Sequence, residues 1–247
     1  GARRRPRTGR AGRTGRRGRR TGQLTRPAAA GPCAPVLTRL SLLLCLLALA
    51  PVAPAAAQAP VEGVDYVRIP GGERWRPEPG TIEVVEVFAY PCGHCDRFRP
   101  MLAQWTRRAG ADVRVYHVPA AYQPDNAYAR GYFALEALGR AAELHPRVFD
   151  AIHREATLPA HNASRAEIVA FLAGEGLDPA AVAAAMDAPA TDEKMNAAYA
   201  FAVRSGIQGT PTLIINGRYR VQARTLDDSL RIADGLVAME RERAAAR

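Results

Sequence analysis

Thr81 to Cys95 reads TIEVVEVFAYPCGHC. Its first eight residues, Thr81 to Phe88, are β-branched or apolar apart from two glutamates and have the length of a strand, the pattern of a parallel strand buried on both faces. The segment from Cys92 to Arg108 is predicted to be a helix, so two cysteines separated by Gly93-His94 stand at the junction of a strand and a helix start. A thiol there faces unpaired backbone N–H groups and the positive end of the helix dipole, which favour thiolate. That position makes Cys92 the expected nucleophile. Cys95 follows three residues later on the same helical face, within disulfide reach but one turn deeper, and is the expected resolving thiol. His94 is expected to donate hydrogen bonds to the thiolate and, when protonated, to add positive charge. Both effects favour the reduced pair and make its disulfide a better oxidant.

Composition supports chemistry at this pair. The chain has 247 residues, 48% hydrophobic, with a formal net charge of +10. Residues 1–57 carry 12 of the 34 basic side chains and none of the 24 acidic ones, so the rest of the chain is near −2. A nucleic-acid function would rest on the leader alone, and none is expected. The first methionine is Met101, and Lys194 is the only lysine against 33 arginines. Residues 1–35 are therefore read as upstream translation or a basic arm. Residues 36–57 have the charge at Arg39, the short apolar core Leu40 to Ala50 and the small-residue exit Ala55-Ala56-Ala57 of a signal peptide. Cleavage before Gln58 would remove Cys33 and Cys45, export the chain to an oxidising compartment and leave Cys92 and Cys95 as the only cysteines. Such a tight ring is a poor structural staple. An inert disulfide and a zinc site remain alternatives, although zinc would need two further ligands, and His117, His145, His153 and His161 offer no pair at finger-like spacing. A c-type haem site is excluded because residue 96 is Asp.

Beyond the predicted helix, Asp112 to Val118 reads as a second strand, with an edge strand expected earlier at Tyr66 to Ile69. From Tyr122 to about Ser205 the sequence turns to alanine-rich helical segments punctuated by Pro124, Pro146, Pro159, Pro179 and Pro189. Thr212 to Ile215, the turn signal Asn216-Gly217 and Tyr219 to Gln222 form a hairpin, and a last helix runs from Thr225 to Arg243. A crossover needs about a dozen residues, whereas more than 90 separate Val118 from Thr212. The helical block is therefore expected to be an inserted domain.

Gly209-Thr210-Pro211-Thr212 precedes the apolar strand TLII. A proline at a strand start loses no ladder hydrogen bond, and that reading alone would suffice. Together with the cysteine pair it suggests a cis-proline loop facing the active site, with the Thr210 backbone beside the disulfide. At this point VVEVFAYPCGHC (Val84 to Cys95), VYHV (Val115 to Val118), the long helical insertion and GTPTLIINGRY (Gly209 to Tyr219) resemble the DsbA family of periplasmic thiol-disulfide oxidoreductases, within the thioredoxin-like superfamily. The resemblance runs over about residues 62 to 243. It departs from the best-known members in having Gly93-His94 where they carry Pro-His. It implies an α/β thioredoxin-like fold with an inserted helical domain: residues 58–120 and 199–247 as the two parts of the thioredoxin-like domain, and 121–198 as the insertion. Glu86 shares parity with Val84 and Phe88 and points to an otherwise apolar face, where a carboxylate must be paired or protonated. It resembles the acid that this family holds beneath its disulfide, in position to relay the proton of Cys95. A partner-satisfied structural acid is the alternative. His117 reads as a half-buried strand histidine at a matching family position.

The expected function is a periplasmic dithiol oxidase that passes its disulfide to reduced, unfolded secretory proteins. Cys92, Cys95, His94 and Glu86 would be its catalytic residues, and Thr210 and Pro211 would bind substrate. No cofactor is expected beyond the redox-active Cys92–Cys95 disulfide, and no metal. A monomer is expected, and the resemblance implies reoxidation by a membrane quinone-linked partner of the DsbB type. A disulfide isomerase or reductase is the nearest rival, and a holdase chaperone with incidental redox activity the next.

Overall fold

Strand β2 (Ile82–Phe88) has all seven residues buried, and the described part of the chain is assembled around it. The computed structural model describes residues 59–246. The expected basic arm, signal peptide, cleavage position, Cys33 and Cys45 lie outside those residues. The other strands are β1 (Tyr66–Arg68), β3 (Val113–Pro119), β4 (Thr212–Ile215) and β5 (Tyr219–Val221), in the spatial order β1-β5-β4-β2-β3. β2 runs parallel to β3, with Glu86 opposite His117. It runs antiparallel to β4, with Glu86 opposite Leu213 and Val87 opposite Thr212. This register brings the start of β4, and the proline before it, to the carboxyl end of β2.

Alternation along β2 divides the core in two. Ile82 and Val84 pack with Phe98, Leu102 and Trp105 of α1 (Gly93–Ala109) and with Leu230, Ala233 and Leu236 of α7 (Leu226–Ala245). Val85 and Val87 pack against the helices of the opposite layer. α1 and α7 are joined where the indole N–H of Trp105 donates to Asp234 Oδ1 at 2.6 Å. The β4–β5 turn places Asn216 and Gly217 at φ 49° and 64°, as a two-residue hairpin turn of the primed type requires. Any side chain at Gly217 would also collide with the Glu73 carbonyl.

Between β3 and β4 lie α2 (Ala127–Ala137), α3 (Ala141–His153), α4 (Arg165–Gly174), α5 (Pro179–Met186) and α6 (Pro189–Arg204). Their starts are written locally. The Asn126 side chain accepts the Ala129 N–H, Ser164 and Glu167 form a capping box, and Asp178 caps α5 ahead of Pro179. One expectation needs correction, because Pro146 does not interrupt the helical pattern but lies inside α3. The carbonyl that it leaves without an N–H donor belongs to Ala142, an exposed residue, so water can satisfy it. Among the described residues no helix is long and apolar enough to cross a membrane.

Candidate active site

β2 ends at Phe88, and four residues later Cys92 caps α1 in an extended conformation, φ −81° and ψ 109°. Its sulfur accepts the Cys95 backbone N–H at 3.4 Å, a thiol filling the place usually taken by a serine or aspartate oxygen. Cys92 is half-buried and Cys95 wholly buried, and both are free thiols. The Thr210–Pro211 peptide bond is cis, and the Thr210 carbonyl accepts the Cys92 thiol at 3.1 Å. Residues 118 apart in sequence thus meet at one sulfur.

The two thiols are driven in opposite directions. A hydrogen bond from the Cys95 thiol is the largest influence on Cys92. Burial opposes it, and the Thr210 side chain and the backbone N–H groups of Cys95 and His94 add to it, so that the Cys92 pKa falls to about 5. Cys95 is pushed far above the ordinary thiol range, first by that same bond to Cys92, then by burial, with the nearby Glu86 charge adding to both. The backbone N–H of His94 assists Cys92, and the His94 side chain is exposed.

Glu86 is 2% exposed and faces the α1 side of the sheet. Its Oε2 pairs with His117 Nδ1 at 2.7 Å, across the parallel β2–β3 register. His117 packs beside the buried His145, with ring centroids 4.8 Å apart. Burial holds His145 neutral by pushing its pKa well below the usual imidazole value.

Other positioning groups have no counterpart in the sequence reading. The loop before Cys92 is held by two histidines of α3: His145 Nδ1 bonds the Tyr90 hydroxyl at 2.9 Å, and His153 Nε2 lies 2.7 Å from the Tyr90 carbonyl. Asp96 in the first turn of α1 pairs with Arg154 at 2.9 Å, and Arg99 pairs with Asp150 at 2.7 Å. Fully buried Glu83 accepts the backbone N–H groups of Trp75 and Arg76 at 2.8 and 2.6 Å, tying the segment before β2 to the sheet. The α3 histidines carry no local motif that could have marked them. Glu83 sat in view on a strand read as buried, and its parity with Val85 could have found it.

Two clefts border the segments next to the site, and neither cysteine lines them. One, of about 390 Å³, is lined by Gly209, Pro211, Thr212, Arg220 and Arg224. The other, of about 350 Å³, is lined by Pro91, Gln123, Asn126, Tyr128 and His161. Among the described residues no group of three or more His, Cys, Asp or Glu side chains is placed to hold a metal ion.

Known proteins share this fold. The family model for the DSBA-like thioredoxin domain matches residues 83–234. The thiol:disulfide interchange protein DsbA of Pseudomonas aeruginosa is 35% identical over 176 residues, covering 69% of this chain and 80% of that protein. The protein of the same name from Azotobacter vinelandii is 34% identical over 168 residues, covering 66% and 77%. The crystal structure of oxidoreductase DsbA from Xylella fastidiosa superposes with a TM-score of 0.72 at 40% identity, covering 75% of this chain and 100% of that one. A CxxC pair at the start of a helix, set in an α/β fold shared with these relatives, leads to one assignment: the chain belongs to the DSBA-like thioredoxin domain family and is a protein thiol-disulfide oxidoreductase.

Proposed function

We propose that this oxidoreductase works as an oxidase in the periplasm, donating the Cys92–Cys95 disulfide to reduced, unfolded secretory proteins. A substrate thiolate attacks Cys92 Sγ, the Cys92–Cys95 bond breaks with its electron pair going to Cys95, and Cys95 takes up a proton. A mixed disulfide joins Cys92 to the substrate. A second substrate thiolate then attacks the substrate's own sulfur, forming its disulfide and releasing Cys92 as thiolate. The substrate loses two electrons and the cysteine pair gains them.

The observation that carries this direction is the opposed state of the two thiols. A Cys92 thiolate with a pKa of about 5 is a good leaving group and a stable product. Glu86 exchanges the proton of Cys95, to which its charge is already coupled. His94 contributes its backbone N–H to the Cys92 sulfur. Once Cys92 is ionised or in a mixed disulfide, the Thr210 carbonyl is free to pair with an extended substrate segment, and Pro211 offers no competing N–H. Backbone pairing of this kind requires no particular side chains and suits a broad clientele.

The remaining assignments follow the family resemblance. Residues 36–57 are an export signal after a leader of 1–35. A helical domain at 121–198 is inserted between thioredoxin-like parts 58–120 and 199–247, with α6 continuing across the junction at 198. The protein acts as a monomer, needs no cofactor beyond its disulfide, and is reoxidised by a membrane quinone-linked partner of the DsbB type.

The test is stoichiometric transfer. Oxidised protein mixed with a reduced, unfolded secretory protein should pass on one disulfide per molecule and end as the dithiol. A disulfide that stays on Cys92–Cys95 would instead assign the protein to reduction.

A further inference from the structure

We infer that the cleft beside edge strand β3 is the proton inlet of this site, with His117 passing protons between water in the cleft and Glu86. The cleft, of about 500 Å³, is walled mainly by apolar groups of α1, β3, α2 and α3, among them Leu102, Val115 and Ala141, and His117 lines it. The His117 side chain is 32% exposed against 3% for Glu86, and the two meet at 2.7 Å. Cys95 has no exposed surface, so a proton can reach it only through another group. Cys92 cannot supply one at the step that needs it, because its sulfur is then bonded to the substrate. The incoming substrate thiolate has already lost its proton to water.

In this relay Glu86 and His117 act as one unit, joined by their 2.7 Å contact. As the Cys92–Cys95 bond breaks, a proton passes from Glu86 to the Cys95 sulfur, and His117 replaces it from the cleft. On reoxidation Cys95 loses the proton along the same path before attacking the Cys92 mixed disulfide. An imidazole both takes and gives a proton near neutral pH, which suits the outer position. The titratable and charged groups around the pair are Cys95 and Arg99 from α1, Tyr116 on β3, Tyr132 and Glu136 from α2, and His145 from α3, while β4 presents Leu213. Arg99 is engaged with Asp96 and Asp150, and neutral His145 is bonded to Tyr90. Of the residues lining the cleft, His117 is the one hydrogen-bonded to Glu86.

This inference rests on the proposed proton exchange between Glu86 and Cys95, and the experiment separates the two. The reduced protein is reacted with oxidised glutathione, and closure of the Cys92–glutathione mixed disulfide by Cys95 is followed by acid quench and mass spectrometry across pH. His117→Ala should slow closure about a hundredfold near neutral pH, the scale of a lost general base. Cys92 alkylation by iodoacetamide should be unchanged, and added imidazole, entering the cleft, should restore closure. Glu86→Gln should be equally slow and not restored. His117→Asn, which keeps a hydrogen-bonding side chain but cannot carry a proton, should behave as His117→Ala does. Normal closure in either His117 variant, or slow closure that imidazole does not restore in His117→Ala, overturns the inlet. If Glu86→Gln is slow in that case, the role of Glu86 survives, and if Glu86→Gln also closes normally, both roles fall.

Discussion

Cys92 gains its character from groups that local sequence identifies only in part. The helix-start position is visible in the spacing of Cys92 and Cys95, and both backbone donors follow from it. The Thr210 contribution comes from a residue 118 positions away. It was legible only because Thr210 stands between a glycine and a proline at the start of an apolar strand. Glu86 was legible through its parity, whereas its pairing with His117 needed the β2–β3 register. Because the Thr210 side chain helps to lower the Cys92 pKa, Thr210→Val should move the midpoint of the pH-dependent Cys92 alkylation rate upward from about 5, and Thr210→Ser should leave it near the wild-type position. An unmoved midpoint in Thr210→Val would assign the whole depression to Cys95 and the helix start.

At the level of elements, the strands and helices follow their apolar periodicity and caps closely. α1 buries Cys95, Phe98, Leu102, Trp105 and Ala109 along one stripe, and Thr225 caps α7 by accepting the Asp228 N–H. Less legible were the contacts that aim one element at another, since no local signal marks them. The α3 histidines on Tyr90 and the Asp96–Arg154 pair are examples. Pro146 misleads for a related reason: a helix tolerates proline wherever the orphaned carbonyl meets water, which depends on tertiary exposure. The Trp105–Asp234 bond ties α1 to α7. Trp105→Phe should therefore destabilise the protein by about 1.5–3 kcal/mol, the scale of a hydrogen bond to a charged group, plus a small packing loss. Urea denaturation of Trp105→Phe, Asp234→Ala and the double variant should give clearly non-additive losses. Additive losses would mean that the two helices are held by apolar packing alone.

For the whole molecule, opposed thiols make stability depend on redox state. The Cys92 pKa is about 5 in the folded reduced protein, against an ordinary value near 8.5 in an unfolded chain. A depressed folded pKa contributes stability that is complete above the unfolded value, declines as pH falls between the two, and is absent below the folded value. Thermal melts should accordingly show the reduced form gaining on the disulfide form as pH rises from 5 to 8, with no further change below 5. A difference in melting temperature that is independent of pH would contradict a stabilised thiolate.

The same thiolate sets how the reduction potential of the Cys92–Cys95 couple varies with pH, measured by equilibration with glutathione buffers. Two electrons enter the disulfide, and above the Cys92 pKa of about 5 only Cys95 takes up a proton. The potential should then fall by about 30 mV per pH unit, and below that pKa by about 59 mV per unit as Cys92 is protonated as well. The predicted result is a break in slope near pH 5 with the shallow limb running through neutral pH. A single slope of about 59 mV per unit up to pH 8 would show two protonated thiols at neutral pH and contradict an oxidase built on the Cys92 thiolate.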